Sequence, residues 1–304
     1  MKFIKIKSKK EKTKQKRIFR KIFAVIALII SLNIVLVYMN AESLSAETEV
    51  VIPDKNIEVE IQDVAPEFTN AIDCYLYAEK LLQQTTSYAT TTGEVKGVAL
   101  GKTWLHQTMD NTRYTDNNGL RYSTSISLKK GSIGRNNYQN VVFDTSRKDG
   151  LVYRIVSDTS NFSNSSWDTY TQEEYKLDSG DLPGNSIYIV RESTIKKVVT
   201  FERTSDGGYH LKFELDNKKS TEGYKRLVKN SAGSFASGFP VFQSVSVEVW
   251  IDSNGRFQKY IMDDKAKIKI IGMDCIMVSH YEETFHIIGG NVEAPFDIPF
   301  TISK

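Results

Sequence analysis

The stretch from Val245 to Ile270 alternates apolar and polar side chains, turns at Asn254-Gly255, and alternates again. Successive side chains of a strand point to opposite faces, so a period of two means one covered face and one wet face. On the first arm Val245, Val247, Val249 and Ile251 define the covered face. On the second arm it is Ala266, Ile268 and Ile270, set against Lys265, Lys267 and Lys269. Strands buried on both sides, as in a parallel sheet, read instead as unbroken apolar runs. The pattern therefore predicts an antiparallel sheet with one solvated face.

The same period recurs upstream. Tyr209, Leu211, Phe213 and Leu215 oppose His210, Lys212 and Glu214, while Leu120, Tyr122, Thr124, Ile126 and Leu128 oppose Arg121, Ser123, Ser125 and Ser127. Asn118-Gly119, Asp149-Gly150 and Ser205-Asp206-Gly207-Gly208 supply the positive-φ positions that hairpins need. Together these signals predict a meander of roughly ten or more strands. Ahead of it, Phe68, Ala71, Ile72, Tyr75, Leu76, Ala78, Leu81 and Leu82 recur at spacings of three and four. This is one amphipathic helix, expected to open near Pro66 with Asp63 or a neighbour as cap. It ends in the threonine-rich run from Thr85 to Gly93, whose β-branched residues are poor helix formers. Thr171-Gln172-Glu173-Glu174 resembles a capping box for a short helix ending near Leu177. Ser220-Thr221-Glu222 opens another, with Tyr224, Leu227 and Val228 on one face. The fold class expected is mainly β (α+β): a large curved antiparallel sheet or incomplete barrel packed on one amphipathic helix, preceded by a single N-terminal transmembrane segment.

That segment follows from the charge distribution. Residues 1–21 hold eleven Lys or Arg against one acid, Glu11, so the formal net charge of +3 hides a remainder of 29 basic and 36 acidic residues, a net of −7. Ile22 to Met39 carries no formal charge and is apolar except for Ser31 and Asn33. As a helix it would span about 27 Å, close to a hydrocarbon core of about 30 Å. Residues 40–66 carry seven acids and only Lys55. The positive side stays in the cytoplasm. Residues 1–21 are accordingly read as a basic cytoplasmic tail, 22–39 as a transmembrane anchor or uncleaved signal, 40–66 as an acidic tether, and 67–304 as an extracellular β-rich domain. The expected location is the cell membrane, single-pass, with the C-terminal domain outside. Ala41-Glu42-Ser43 and Ser43-Leu44-Ser45 offer small-x-small cleavage patterns, and cutting there would release a secreted protein.

No catalytic constellation emerges, and the chain is read as a non-enzyme without cofactors. There is no Gly-x-Ser-x-Gly elbow and no phosphate-cradling glycine loop. Asp263-Asp264 and Glu282-Glu283 are adjacent pairs, which point to opposite faces of a strand. His280, Glu282 and His286 share a strand face, but the first and last are about 20 Å apart in an extended strand, too far for one metal, so no metal site is expected. Asp252-x-Asn254-Gly255 lacks the remaining spacing of a calcium loop and is read as a hairpin turn. Nucleic acid is disfavoured as a partner by the acidic exported part. Cys74 and Cys275 lie outside the membrane, where a disulfide would persist; they are either that disulfide or two buried thiols. The oligomeric state is not legible.

The order of elements, and the phrase "VSVEVWIDSNGRFQKYIM" from Val245 to Met262, resemble the LolA/LppX-like lipoprotein-carrier superfamily. "TYTQEEY", "SIYIVRESTI", "GYHLKFELD" and "PVFQSVSVEVWID" are similar to exported or membrane-anchored proteins of Gram-positive bacteria. The resemblance covers about residues 67–290, and the chain departs from the lipidated members by lacking a cysteine just after its apolar run. It implies a concave apolar sheet face around a helical plug, holding a lipid or a lipidated protein. The residues so implicated are Leu100, Trp104, Tyr209, Leu211, Phe213, Val245, Val247, Val249, Ile268 and Ile270. The expected function is that of a membrane-anchored extracytoplasmic binding protein. The alternative is a non-enzymatic interaction module of a cell-envelope, secretion or conjugation assembly.

Overall fold

The computed structural model describes residues 65–115, 119–145, 150–232 and 235–287. The basic tail, the apolar segment, all but the last two residues of the tether, and the chain after 287 lie outside these. No helix among the described residues is long and apolar enough to cross a membrane.

Helix α1 (Ala71–Gln84) opens the described part. Its cap is Asn70, whose side chain accepts from the Asp73 N–H at 2.8 Å, so the helix starts later than Pro66 and Asp63 predict. The threonine run that ends it is itself a strand, because the β-branched residues that disfavour a helix suit a pleated surface. Strand β1 (Ser87–Ala99) thus begins six residues before Gly93. The other strands are β2 (Lys102–Thr115), β3 (Leu120–Lys129), β4 (Asn137–Asp144), β5 (Val152–Ser157), β6 (Asp168–Tyr170), β7 (Ile195–Arg203), β8 (Tyr209–Leu215), β9 (Ala236–Ile251), β10 (Phe257–Ile270) and β11 (Met273–Ile287). Helices α2 (Gln172–Ser179) and α3 (Glu222–Ala232) interrupt them. The capping box of α2 forms as its sequence predicts: Glu174 N–H donates to Thr171 Oγ1, and Thr171 N–H to a Glu174 carboxylate oxygen.

All eleven strands lie in one antiparallel sheet of order β6-β5-β4-β3-β2-β1-β11-β10-β9-β8-β7. Two meanders, β1 to β6 and β7 to β11, are joined where the first strand pairs with the last, from Ser87–Ile287 to Val98–Ile276. Among the described residues the sheet does not close. Its edge strand β7 carries Lys196, Lys197 and two register shifts, features that blunt an edge against pairing with another chain. The Asn254-Gly255 hairpin is as the sequence reads: Asp252 Oδ1 accepts from the N–H groups of Asn254 and Arg256, with Gly255 at φ 78°.

We call the face that meets α1 the inner face. Across β8 to β11 it forms the main core, together with α1, Tyr188 and Val190 of the segment before β7, and Tyr224 and Val228 of α3. A second cluster, Val141, Phe143, Val152 and Tyr175, lies on the same face under α2. On β3 the expected orientation is inverted. Register places Ser123 beside Arg113 and Ser125 beside Asn111 on the inner face, so Leu120 and Tyr122 point outward. There they join Val142, Tyr114, Tyr153 and Trp167 in a small cluster of their own. Ile126, further along, is exposed.

Candidate functional site

The residues implicated by the sequence separate into three situations. Tyr209, Leu211, Phe213, Val245, Val247, Val249, Ile268 and Ile270 do share one face, and all are buried core. Tyr75 of α1 sets its ring edge-on against Phe213 at 6.0 Å and packs on Phe257 at 5.4 Å. Phe68 meets Tyr209 edge-on, and its N–H donates to the Tyr209 hydroxyl at 3.1 Å. This half of the face is sealed by the protein itself. Trp104 is half-buried beside it, its Nε1–H donating to the Ala99 carbonyl at 3.0 Å. Leu100 is not on the face at all: it sits at the tip of the β1–β2 hairpin, 81% exposed.

Cys74 and Cys275 are free, buried thiols rather than a disulfide. The reason is their placement. Tyr75, next to Cys74, packs on Tyr260, whereas Cys275 pairs with Ile268, eight residues further along β10. Those eight residues span about 26 Å of strand, so the two thiols lie over different parts of the sheet, and a disulfide needs Cα atoms roughly 6 Å apart. Burial pushes the Cys74 thiol up to about 12.

Beyond β11 the inner face changes character. One cross-strand row runs Tyr260, Glu283, Thr91, Asn111, Ser125, Gln139, one residue from each of β10, β11, β1, β2, β3 and β4. Flanking it on β2 and β3 are Arg113 with Ser123, and Met109 with Ser127. The inner-facing residues of β2, namely Leu105, Gln107, Met109, Asn111 and Arg113, are all half-buried, although β2 is paired on both sides. Those of β8 and β9 are fully buried over the stretch where the two strands pair. Here, then, is a polar floor, with Trp104, Leu105, Met109 and Ile133 as a half-buried apolar flank.

The floor is held by charge. Arg113 makes two bonds to Glu283, at 2.6 and 2.8 Å, and a third to the Gly184 carbonyl; Thr91 Oγ1 also donates to Glu283. Glu283 is buried, so this pair orients both side chains rigidly. Arg121 donates to the Pro183 carbonyl and to Asn185 Oδ1. Burial and the nearby Arg113 lower its pKa. Asn111 Oδ1 is buried without a hydrogen-bond donor.

A second buried group lies where floor and core meet. Asp264 Oδ2 accepts from the Tyr188 hydroxyl at 2.6 Å, and the Tyr224 and Tyr281 hydroxyls bond to each other at 3.1 Å nearby. Asp264 Oδ1 and Ser279 Oγ, on paired strands, are buried without a well-formed hydrogen bond. Burial, only partly offset by the Tyr188 hydroxyl, raises the Asp264 carboxyl to about 6.

Metal-ligating side chains do not converge among the described residues. His280 bonds Asp263, Glu282 pairs with Lys259, and His286 stacks on Tyr88 at 4.9 Å, each on the outer face with its own neighbour. Sequence reasoning missed the polar floor. The signal was present in Arg121, Ser123, Ser125 and Ser127, but alternation alone does not say which face of a strand is covered.

No family model and no curated protein matches the chain. Among solved structures, a DUF1329 family protein from Desulfovibrio piger is similar at 11% identity, covering 73% of this chain and 93% of that chain, with a TM-score of 0.28. A LolA superfamily protein from Nitrosomonas europaea is similar at 10% identity, covering 68% and 92%, with a TM-score of 0.18. Likenesses this shallow carry no weight for function, which rests on the chain's own residues.

Proposed function

We propose that this is a membrane-anchored extracytoplasmic binding protein, and not an enzyme, that receives a lipid or the lipid moiety of a partner on the inner face of β2 and β3. Residues 22–39 would be its anchor, with the tail 1–21 in the cytoplasm and the β-rich domain outside. The observation that supports this reading is the inner face of β2, a central strand on which no inward side chain is fully buried, although Leu105 and Met109 pack against the edge of the core. Its chemistry is amphipathic. Met109, Leu105, Ile133 and Trp104 offer apolar surface for a chain, while Arg113, Arg121, Asn111 and the serines of β3 offer donors for a polar or anionic headgroup. Ligand sites combine apolar walls with a few oriented polar groups in this way. The sealed apolar face under α1 is core in this reading, and the ligand lies beside it.

The test uses the full chain in neutral-lipid nanodiscs, titrated with pyrene-labelled phosphatidylglycerol and phosphatidylcholine. Met109→Trp fills the apolar flank and is expected to weaken both lipids about tenfold, a change of about 1.4 kcal/mol, with an unchanged melt. Arg121→Gln is expected to remove the preference for the anionic lipid alone. Unchanged uptake in a folded Met109→Trp protein would overturn the assignment.

A further inference from the structure

Two neighbouring hairpins end in the same unusual way. The β1–β2 turn is Leu100-Gly101, at φ 51° and 72°, and the β10–β11 turn is Ile271-Gly272, at φ 51° and 75°. Two-residue turns of this kind need positive φ at both positions and favour Asn-Gly. A β-branched or bulky residue there is strained. Neither side chain gains burial in return: Leu100 is 81% and Ile271 59% exposed. Because β1 pairs with β11, the two tips stand side by side, about 10 Å apart, two strand spacings.

The surroundings extend the patch. Phe235, whose carbonyl accepts from the Ile271 N–H, is half-exposed beside the second tip. On the adjoining outer face Val98, Val278 and Val241 are exposed and interleaved with Lys96, Lys265, Lys267 and Lys269, while Lys102 follows the first tip. Against these five lysines stand three carboxylates: Glu94 paired with Lys96, Asp274 paired with Lys267, and Asp263, in the same cross-strand row as Glu94, paired with His280. Aliphatic fingertips in a basic collar match an anionic bilayer, where the tips enter the acyl boundary and the lysines meet headgroups.

We infer that the Leu100 and Ile271 hairpin tips form a docking edge for an anionic membrane surface. The edge is distinct from the anchor. Ala65, where the described chain begins, lies against Gly255: a Cβ at that glycine would come within 3.1 Å of Ala65 Cβ. Gly255 is at the other end of β10 from Ile271, about 50 Å away along the strand. An anchored chain therefore enters the domain at one end and presents its docking edge at the opposite one.

The experiment places an environment-sensitive nitrobenzoxadiazole label on the full chain through Leu100→Cys, Ile271→Cys or, as the opposite-end control, Asn254→Cys; the native thiols are buried. The protein is reconstituted in phosphatidylcholine nanodiscs and mixed with vesicles of phosphatidylcholine, with or without 30% phosphatidylglycerol. Expected is at least a twofold rise in emission at both tips with phosphatidylglycerol vesicles and none at position 254. Lys102→Glu, Lys265→Glu and Lys269→Glu together should return the tip signal to its neutral-lipid value without altering the melt. Silent tip labels, or a label at 254 that responds as strongly, would overturn the inference. So would emission that rises with protein concentration and not with lipid, which would assign the tips to a second copy of the chain.

Discussion

Asp264→Asn is expected to stabilise the protein at neutral pH and to leave it unchanged in acid. The carboxyl is 4% exposed, accepts one hydrogen bond from Tyr188, and faces Ser279, Tyr224 and Tyr281, with no cation among these contacts. Burial raises it from the ordinary 3.8 to about 6. Below pH 3.8 the folded and unfolded chains are both protonated there, and the group contributes no difference. Between 3.8 and 6 the unfolded chain ionises first, so it binds fewer protons and stability falls as pH rises. Above 6 the cost levels off at about two pH units' worth, roughly 3 kcal/mol at 1.36 kcal/mol per unit. Asparagine keeps the shape and an acceptor for Tyr188 while removing the titration. The assay is urea unfolding of both proteins in neutral-lipid nanodiscs, followed by intrinsic fluorescence between pH 4 and 7.5. All other titrating groups cancel in the difference. The variant should be about equal to the parent at pH 4 and more stable by roughly 2 to 3 kcal/mol at pH 7.5. A difference that does not grow with pH would refute the reasoning, because it would mean that Asp264 is solvated or paired at neutral pH.

Leu100→Asn and Ile271→Asn should each raise stability by about 1 kcal/mol in the same assay, since asparagine tolerates the left-handed conformation that leucine and isoleucine resist. Gly93→Ala should cost about 1 to 3 kcal/mol, because its Cβ would come within 2.2 Å of the Tyr281 ring and dislodge it; a neutral result in thermal melts would mean the ring has room to move. Ile268→Ala should cost about 2 to 5 kcal/mol, and Lys267→Ala less than about 0.5, with chemical denaturation distinguishing the two faces of β10.

Where alternation coincided with a covered face, the fold was legible. On β8, on β9 from Val245 and on β10 from Tyr260 every second residue is buried, and all but Asp264 are apolar; Asn254-Gly255 and Thr171-x-x-Glu174 mark a turn and a cap whose chemistry is local. On β3 the same rule pointed the wrong way. The inner face there is a serine floor, and the apolar set of Leu120 and Tyr122 finds its partners outside, in Val142 and Trp167. Hydrophobicity reports that a side chain needs cover and is silent on which layer supplies it. The threonine run misled for a related reason: poor helix propensity and good strand propensity are one property, and only pairing with β11 shows which matters. Leu100 was placed on the apolar binding face by the resemblance, whereas its position is set by the left-handed turn. The anchor, read from charge and apolar length, lies outside the described residues.

The pairing of β1 with β11 also has a temporal meaning. Thr91 and Glu283, neighbours in the polar row and bonded to each other, are 192 residues apart in the chain. Contacts of such separation form late, because the loop between them must be ordered first. A chain leaving the translocation pore amino end first would hold β1 through β6 outside while β11 was still inside. During that interval β1 has one unpaired edge, and Arg113 has no carboxylate to orient it. On the proposed reading, the floor on β2 and β3 takes its binding geometry only when the final strand arrives, and ligand capture waits for export of the whole domain.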